Sequence, residues 1–155
     1  MSKNPELSLV VPCYNEQDNV KEFYNVCCAT FAGKVEDYEI IFINDDADVI
    51  INNGTITGGY SNSEGGCLYI EGGANVTLND VHIVGNKVHN DDGAGIYMYG
   101  GSNLTVNGGS FENNTTDGNG DWGGAVCICD STATFKNVTF KNNRSTYEGG
   151  AIYAD

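Results

Sequence analysis

The sequence predicts a mainly β fold: a right-handed parallel β-helix of about four coils over residues 47–155, preceded by a short βαβ-like segment over residues 1–46. Two observations predict the β-helix. A Gly-rich block recurs at spacings of 28, 30 and 26 residues (65 to 93, 93 to 123 and 123 to 149), and self-similarity at a nearly fixed period is the signature of a repeat fold. The composition agrees, because 21 of the 155 residues are Gly, which is more than an ordinary domain contains.

Each repeat contains three strand-like stretches. The first follows the blocks that begin at Gly65, Gly93, Gly123 and Gly149, the second recurs at Asn75, Asn103 and Thr132, and the third centres on Ile83, Phe111 and Phe140. Three strands per period predict one β-helix coil. Because side chains alternate along a strand, we expect three inward columns. These are Leu68, Ile96, Val126 and Ile152; Ile70, Met98 and Ile128; and Leu78, Val106 and Phe135.

Two polar ladders follow from the same register. Asn86, Asn114 and Asn143 each lie three residues after the centre of a third strand. We expect these amides to point inward and to satisfy backbone groups in the turns. An outward ladder is expected from Thr77, Thr105 and Thr134, and the strand propensity of Thr explains it.

The first 46 residues follow a different pattern. Strands are predicted at 8–12 and 38–43, with a helix at Glu16–Ala32 between them. We expect this helix to cap the open end of the β-helix core, where free strand edges otherwise invite aggregation. Residues 41–52 also align without a gap over 68–79, which places Val49 over Val76 and Ile41 over Leu68. The second strand is therefore expected to open the β-helix.

Two motifs in this segment, Val-Pro-Cys-Tyr-Asn-Glu at 11–16 and Glu-Ile-Ile-Phe-Ile-Asn-Asp at 39–45, make it similar to the start of family 2 glycosyltransferases. The resemblance implies a sugar-nucleotide site that contains Tyr14, Glu16 and Asp45. It stops there, because Asp46-Ala47 stands where the family has Gly-Ser, and the family's later metal-binding and catalytic motifs do not follow. The sequence thus looks like a fusion or a truncated chain, with sugar transfer as an alternative function.

The repeats carry Gly-Gly-Ala-Ile at 149–152 and a Phe-x-x-Asn pattern at 111–114 and 140–143. In these features they resemble polymorphic outer-membrane proteins and other adhesin-like β-helices. The resemblance implies a binding or adhesion module of a kind that is usually secreted or held at the cell surface. The sequence itself has no signal peptide and no segment of transmembrane length. It therefore predicts a cytoplasmic chain without membrane insertion.

The charge balance excludes some partners. Lys and Arg total 7 against 21 Asp and Glu, which gives a formal net charge of -14. A strongly acidic chain is repelled by nucleic acid and by anionic membranes. Cations, glycans and other β-helix chains remain as expected partners.

One loop and one edge are candidates for calcium, the single cofactor that the sequence suggests. Asp117, Asn119 and Asp121 offer oxygen ligands at alternate positions, although Trp122 stands where calcium loops have a turn Gly and no bidentate Glu follows. Glu64, Asp92 and Glu148 each precede a Gly block. Stacked coils place such carboxylates close together, as a solvated acidic ridge or as a cation site.

A glycan-binding face is the principal functional prediction. Tyr69, Tyr97, Tyr99 and Trp122 are expected on the outside of the coils, near Asn and Asp side chains. Aromatic rings beside polar groups are what a sugar-binding surface needs. The sequence therefore predicts a non-catalytic glycan-binding or adhesion module.

A polysaccharide lyase or hydrolase is the second alternative function. Asn90-Asp91-Asp92 could supply paired carboxylates for hydrolysis, but Arg144 is the single Arg and no partnered acid is evident. His82 and His89 are isolated and receive no role. The six Cys residues include no C-x-x-C pair, so they are expected to be buried, reduced thiols.

Overall fold

The computed structural model describes residues 7–13, 38–44 and 48–155. The chain forms two compact units, Met1–Ala47 and Asp48–Asp155. In the first unit, β1 (Leu7–Cys13) and β2 (Tyr38–Asn44) pair in parallel. The predicted helix Glu16–Ala32 lies outside the described residues, so its capping role stays a prediction.

Every regular element of the described second unit is a strand. The strands are β3 (Asp48–Thr57), β4 (Tyr60–Ser61), β5 (Leu68–Ile70), β6 (Asn75–Val84), β7 (Lys87–Val88), β8 (Ile96–Met98), β9 (Asn103–Asn107), β10 (Ser110–Glu112), β11 (Thr115–Thr116), β12 (Val126–Ile128), β13 (Thr132–Lys136), β14 (Thr139–Lys141) and β15 (Ile152–Ala154). Each pairs in parallel with its counterpart in a neighbouring coil. The second unit is therefore a parallel β-helix, as the repeats predict.

Three sheets run along the β-helix. The tyrosine sheet contains β5, β8, β12 and β15, and the short sheet contains β4, β7 and β11. The asparagine sheet contains β3, β6, β9, β10, β13 and β14. The long strand β6 belongs to two parts of this sheet, because Asn75–Asn79 pairs with β9 and His82–Val84 pairs with β10.

The predicted inward columns are confirmed by the register. Ile96 pairs with Leu68 on one side and with Val126 on the other, and Val106 lies between Leu78 and Phe135. Leu78, Ile96, Met98, Val106 and Val126 are fully buried, whereas Phe135 and Ile152 are partly exposed in the last described coil. Burial of these apolar side chains is the main source of stability in the second unit.

The start of the β-helix lies one strand later than expected. Val49 does pair with Val76, as the alignment predicts. Ile41, however, is paired with Val10 in the two-stranded sheet of the first unit. Strand β3 is therefore the first described strand that pairs within the β-helix. The alignment does not separate the two settings, because an apolar run is typical of parallel strands in either kind of sheet.

Glycine is required at two kinds of position in the repeated blocks. Gly93 has a φ of 65°, which most side chains avoid. At Gly124, an added Cβ would lie 2.3 Å from the carbonyl oxygen of Gly150 in the next coil. The blocks are thus Gly-rich because the chain both turns sharply and approaches its neighbouring coil there.

The inward Asn ladder is confirmed as a structural element. Oδ1 of Asn114 accepts hydrogen bonds from the backbone N and from Nδ2 of Asn86, each at 3.0 Å, and Nδ2 of Asn114 donates to the carbonyl of Ile83 at 2.8 Å. Asn143 accepts from the backbone N of Asn114 in the same way, at 3.0 Å. Because Asn86 and Asn114 are fully buried, these bonds satisfy backbone groups that water cannot reach.

Candidate functional site

The outward face of the tyrosine sheet brings several predicted residues together. Strands β5, β8, β12 and β15 place Leu, Ile, Val and Met side chains inward at alternate positions, so the residue between them faces outward. In register, the outward positions are Tyr69, Tyr97, Cys127 and Tyr153. We call this line of residues the tyrosine column.

Two rings of this column stack on each other. The ring centroids of Tyr69 and Tyr97 lie 5.3 Å apart with an interplanar angle of 18°. Tyr69 is 38 % exposed, and its hydroxyl donates to Oε2 of Glu71 at 3.2 Å. The stack therefore offers an ordered apolar surface with a polar edge, which is the combination that sugar rings require.

A second aromatic pair lies further along the column. Trp122 precedes its Gly block and stacks on Tyr153, with centroids 4.9 Å apart and an interplanar angle of 12°. The backbone N of Trp122 donates to Oδ1 of Asp92 at 2.6 Å. Cys127 separates the two pairs in register, since it is aligned with both Tyr97 and Tyr153. The face thus carries two separate aromatic pairs, Tyr69–Tyr97 and Trp122–Tyr153, instead of one continuous stripe.

Tyr99 occupies a different position from the other predicted rings. It follows β8 and is 47 % exposed, and its backbone N donates to the carbonyl of Ile70 at 2.9 Å. Because Tyr97 and Tyr99 are two residues apart on an extended segment, both face outward. Tyr99 therefore extends the surface sideways from the Tyr69–Tyr97 stack.

Acidic groups surround this surface. Burial, and then the carboxylates of Glu71 and Glu64, raise the pKa of Tyr69 to about 12. Burial is also the main cause of the raised pKa values of Asp91 and Asp92. The Lys and Arg residues of the second unit lie at other sheets. Lys87 belongs to the short sheet, and Arg144 forms a β-bridge with Thr115 of that sheet. Lys136 and Lys141 belong to the asparagine sheet. The surface is thus negatively charged.

Two carboxylates of the predicted calcium loop, those of Asp117 and Asp121, already have bonding partners within the chain. Asp117 pairs with Lys87 and accepts a hydrogen bond from Nδ1 of His89 at 2.6 Å when that nitrogen is protonated. Hydrogen bonds from Lys87 and His89 lower the pKa of Asp117. Asp121 is buried, and its Oδ2 accepts from the backbone N of Gly118 at 2.6 Å. Asn119 is exposed.

No metal centre of several side chains is evident at this loop or at the acidic ridge. Within the residues that the structure describes, no three His, Cys, Asp or Glu side chains are grouped so as to hold a metal ion. Calcium binding by Asp117, Asn119 and Asp121 stays a prediction. The carboxylate of Asp117 already has a cationic partner in Lys87, so calcium would compete with it.

The structure describes only some of the residues of the enzymatic alternatives. Tyr14, Glu16 and Asp45, the sugar-nucleotide candidates, lie outside the described residues. Asp91 and Asp92 accept hydrogen bonds from backbone N atoms, of Asp92 at 3.0 Å and of Trp122 at 2.6 Å respectively. These bonds give both carboxylates a structural role in shaping the turn.

Two features were missed by the sequence reasoning. Outward amides of neighbouring coils bond to each other, as in Asn79 Nδ2 to Asn52 Oδ1 at 2.8 Å and Asn107 Nδ2 to Asn79 Oδ1 at 2.9 Å. The thiols of Cys127 and Cys129 lie 3.7 Å apart. The signal for both was present, because residues two apart on a strand share a face and residues one period apart share a column.

Comparison with known proteins supports the fold. A family model described as a right-handed β-helix region matches residues 17–155. No curated protein and no solved structure matches the chain. In the described ranges, no helix is long and apolar enough to cross a membrane.

Proposed function

Since the chain belongs to the family of right-handed β-helix regions, we propose that its second unit is a non-catalytic binding module for glycans, of the adhesion type. The observation that carries the proposal is the stack of Tyr69 on Tyr97, with ring centroids 5.3 Å apart on an outward face. Sugar rings have apolar C–H faces that pack on aromatic rings, while their hydroxyls bond to nearby polar groups.

The surface has both parts that this recognition needs. Tyr69 and Tyr99 are exposed by 38 % and 47 %, so a ligand can reach part of each side chain. Glu71 lies beside them as a hydrogen-bond acceptor. Rings held in a sheet lose little conformational entropy when they bind a ligand. The module is therefore suited to an extended glycan that runs along the coil axis.

The charge of the surface selects among glycans. Glu64 and Glu71 act on Tyr69, and Asp91 and Asp92 lie in the next turn. Uronate and sulphated polymers are repelled by such a field. Neutral oligosaccharides are therefore the proposed ligands.

Binding to an array of neutral and anionic oligosaccharides tests this function. We expect retention of neutral glycans, lost in Tyr69→Ala and kept in Tyr60→Ala. Tyr60 is the matched control because it is 60 % exposed but lies in β4 of the short sheet. Equal loss in both variants, or a preference for anionic glycans, would contradict the proposal.

A further inference from the structure

Two cysteines lie on the outward face of the tyrosine sheet, one in the middle of β12 and one directly after it. Cys127 lies in the tyrosine column between Tyr97 and Tyr153. Cys129 follows two residues later, and its backbone N donates to the carbonyl of Met98 at 2.9 Å. The preceding coil has Tyr97 and Tyr99 at the equivalent positions. This coil therefore replaces two large rings by two small sulfur-bearing side chains on one face.

The two thiols are close enough to contact one ion. Their sulfur atoms lie 3.7 Å apart, and both cysteines are free. An ion about 2.3 Å from each sulfur, the usual zinc–thiolate distance, would then make an S–metal–S angle of about 107°, near the tetrahedral value. We propose that Cys127 and Cys129 form a two-thiolate site for a soft divalent cation, Zn²⁺ or its heavier analogue Cd²⁺.

The charges around the thiols favour a dication. The carboxylates of Asp92 and Asp155 lie close enough to act electrostatically on the Cys127 thiol. When the ion binds, two S–H bonds break, two sulfur–metal bonds form and two protons leave to solvent. Two thiolates and a divalent ion make a neutral unit. A monovalent ion would leave a net negative charge beside these carboxylates.

Oxygen donors stand next to the sulfur pair. The Tyr97 hydroxyl and the Asp155 carboxyl lie close enough to the Cys129 thiol to affect its pKa. In the described part of the chain no third His, Cys, Asp or Glu completes a preformed cluster, so water fills the remaining positions. The site is therefore open, unlike a closed structural zinc site with four protein ligands.

Cys67 provides a matched control within the same sheet region. It directly precedes β5 and is a free cysteine, and burial raises the pKa of its thiol to about 12. Cys67 is not part of the Cys127–Cys129 sulfur pair, so its removal should leave the proposed site intact.

The experiment is a titration of the reduced, full-length chain with Cd²⁺, followed by thiolate-to-metal charge-transfer absorption in the ultraviolet. We expect the signal of one ion to disappear in Cys127→Ser/Cys129→Ser and to persist in Cys67→Ser. Cys13, Cys27 and Cys28 remain in all three proteins, so their contribution cancels in the comparison. A large excess of Zn²⁺ should reduce the Cd²⁺ signal, because both ions compete for the same two thiolates.

The single variant Cys129→Ser guards against misfolding, because Cys129 is partly exposed whereas Cys127 is buried. It should weaken Cd²⁺ binding by about tenfold or more, since one arm of a chelate is lost, with an unchanged circular-dichroism spectrum. An unchanged titration in either variant, or an equal loss in Cys67→Ser, would overturn the proposal.

Discussion

The side chain of Asn114 bonds to the backbone of Asn86, one coil away: its Oδ1 accepts from the Asn86 N at 3.0 Å. Both residues are fully buried. The side-chain amide of Asn114 therefore satisfies a backbone group in the turn, as a neighbouring strand does in a sheet. The bond repeats between Asn143 and Asn114. The ladder therefore couples the coils at a corner where strand pairing is absent.

Replacing Asn114 by Ala should destabilise the second unit by about 2–4 kcal/mol, because buried donors on Asn86 lose their acceptor. Chemical denaturation followed by circular dichroism measures this. Asn103→Ala is the matched control, since its Nδ2 donates to Asn75 Oδ1 at 3.0 Å on an exposed face. The control should change the free energy of unfolding by less than about 0.5 kcal/mol. Similar losses in both variants would remove the special role of the inward ladder.

Phe111→Ala should be among the most destabilising single changes in the core. The ring is fully buried, stacks on Phe140 with centroids 5.0 Å apart and meets Phe135 edge-on at 6.2 Å. Removing a buried Phe typically costs about 3–5 kcal/mol. Phe140→Ala should cost less, because Phe140 is partly exposed. The order of the two unfolding free energies is the measured quantity, and the reverse order would contradict this packing.

Gly124→Ala tests the close approach of neighbouring coils. The new Cβ would lie 2.3 Å from the Gly150 carbonyl oxygen, so the backbone must shift, at a cost of about 1–3 kcal/mol. Gly54→Ala is the control, because no atom lies within 4 Å of its would-be Cβ. Thermal melts should show a clear decrease for Gly124→Ala and almost none for Gly54→Ala. An unchanged melt for Gly124→Ala would mean that the coils are further apart.

Stability should depend on pH through Asp92. Burial raises the pKa of this carboxyl, so the folded state binds a proton more readily than the unfolded state does. Stability from this group is therefore greatest below the ordinary Asp pKa and is lost as the pH rises through the raised value. At neutral pH, Asp92→Asn should stabilise the chain, by under about 1 kcal/mol because the group is partly solvated. In strong acid the difference should vanish.

Denaturation of wild type and Asp92→Asn at both pH values measures this effect, with the exposed Asp48→Asn as control. Asn keeps an Oδ1 that can accept from the backbone N of Trp122, so the turn is preserved. A loss of stability at neutral pH would show that the charge itself holds the turn.

The coils, the inward columns and the Asn ladder were predictable because each follows from one period and from strand alternation. Leu68, Ile96 and Val126 form one column because they occupy the same position of successive repeats. The side-chain contacts of the candidate site were less predictable, because they depend on the course of loops whose lengths differ from one coil to the next. The sequence alone does not reveal that Trp122 stacks on Tyr153 or that Lys87 pairs with Asp117.

The most direct test of the central claim is a nuclear magnetic resonance titration of the chain with a neutral oligosaccharide selected by the array. We expect chemical-shift changes to concentrate on backbone amides of the tyrosine sheet and the residue that follows β5, at Tyr69, Tyr97 and Glu71. Changes confined to the asparagine sheet or the short sheet, or none at saturating ligand, would contradict the claim that this face binds glycans.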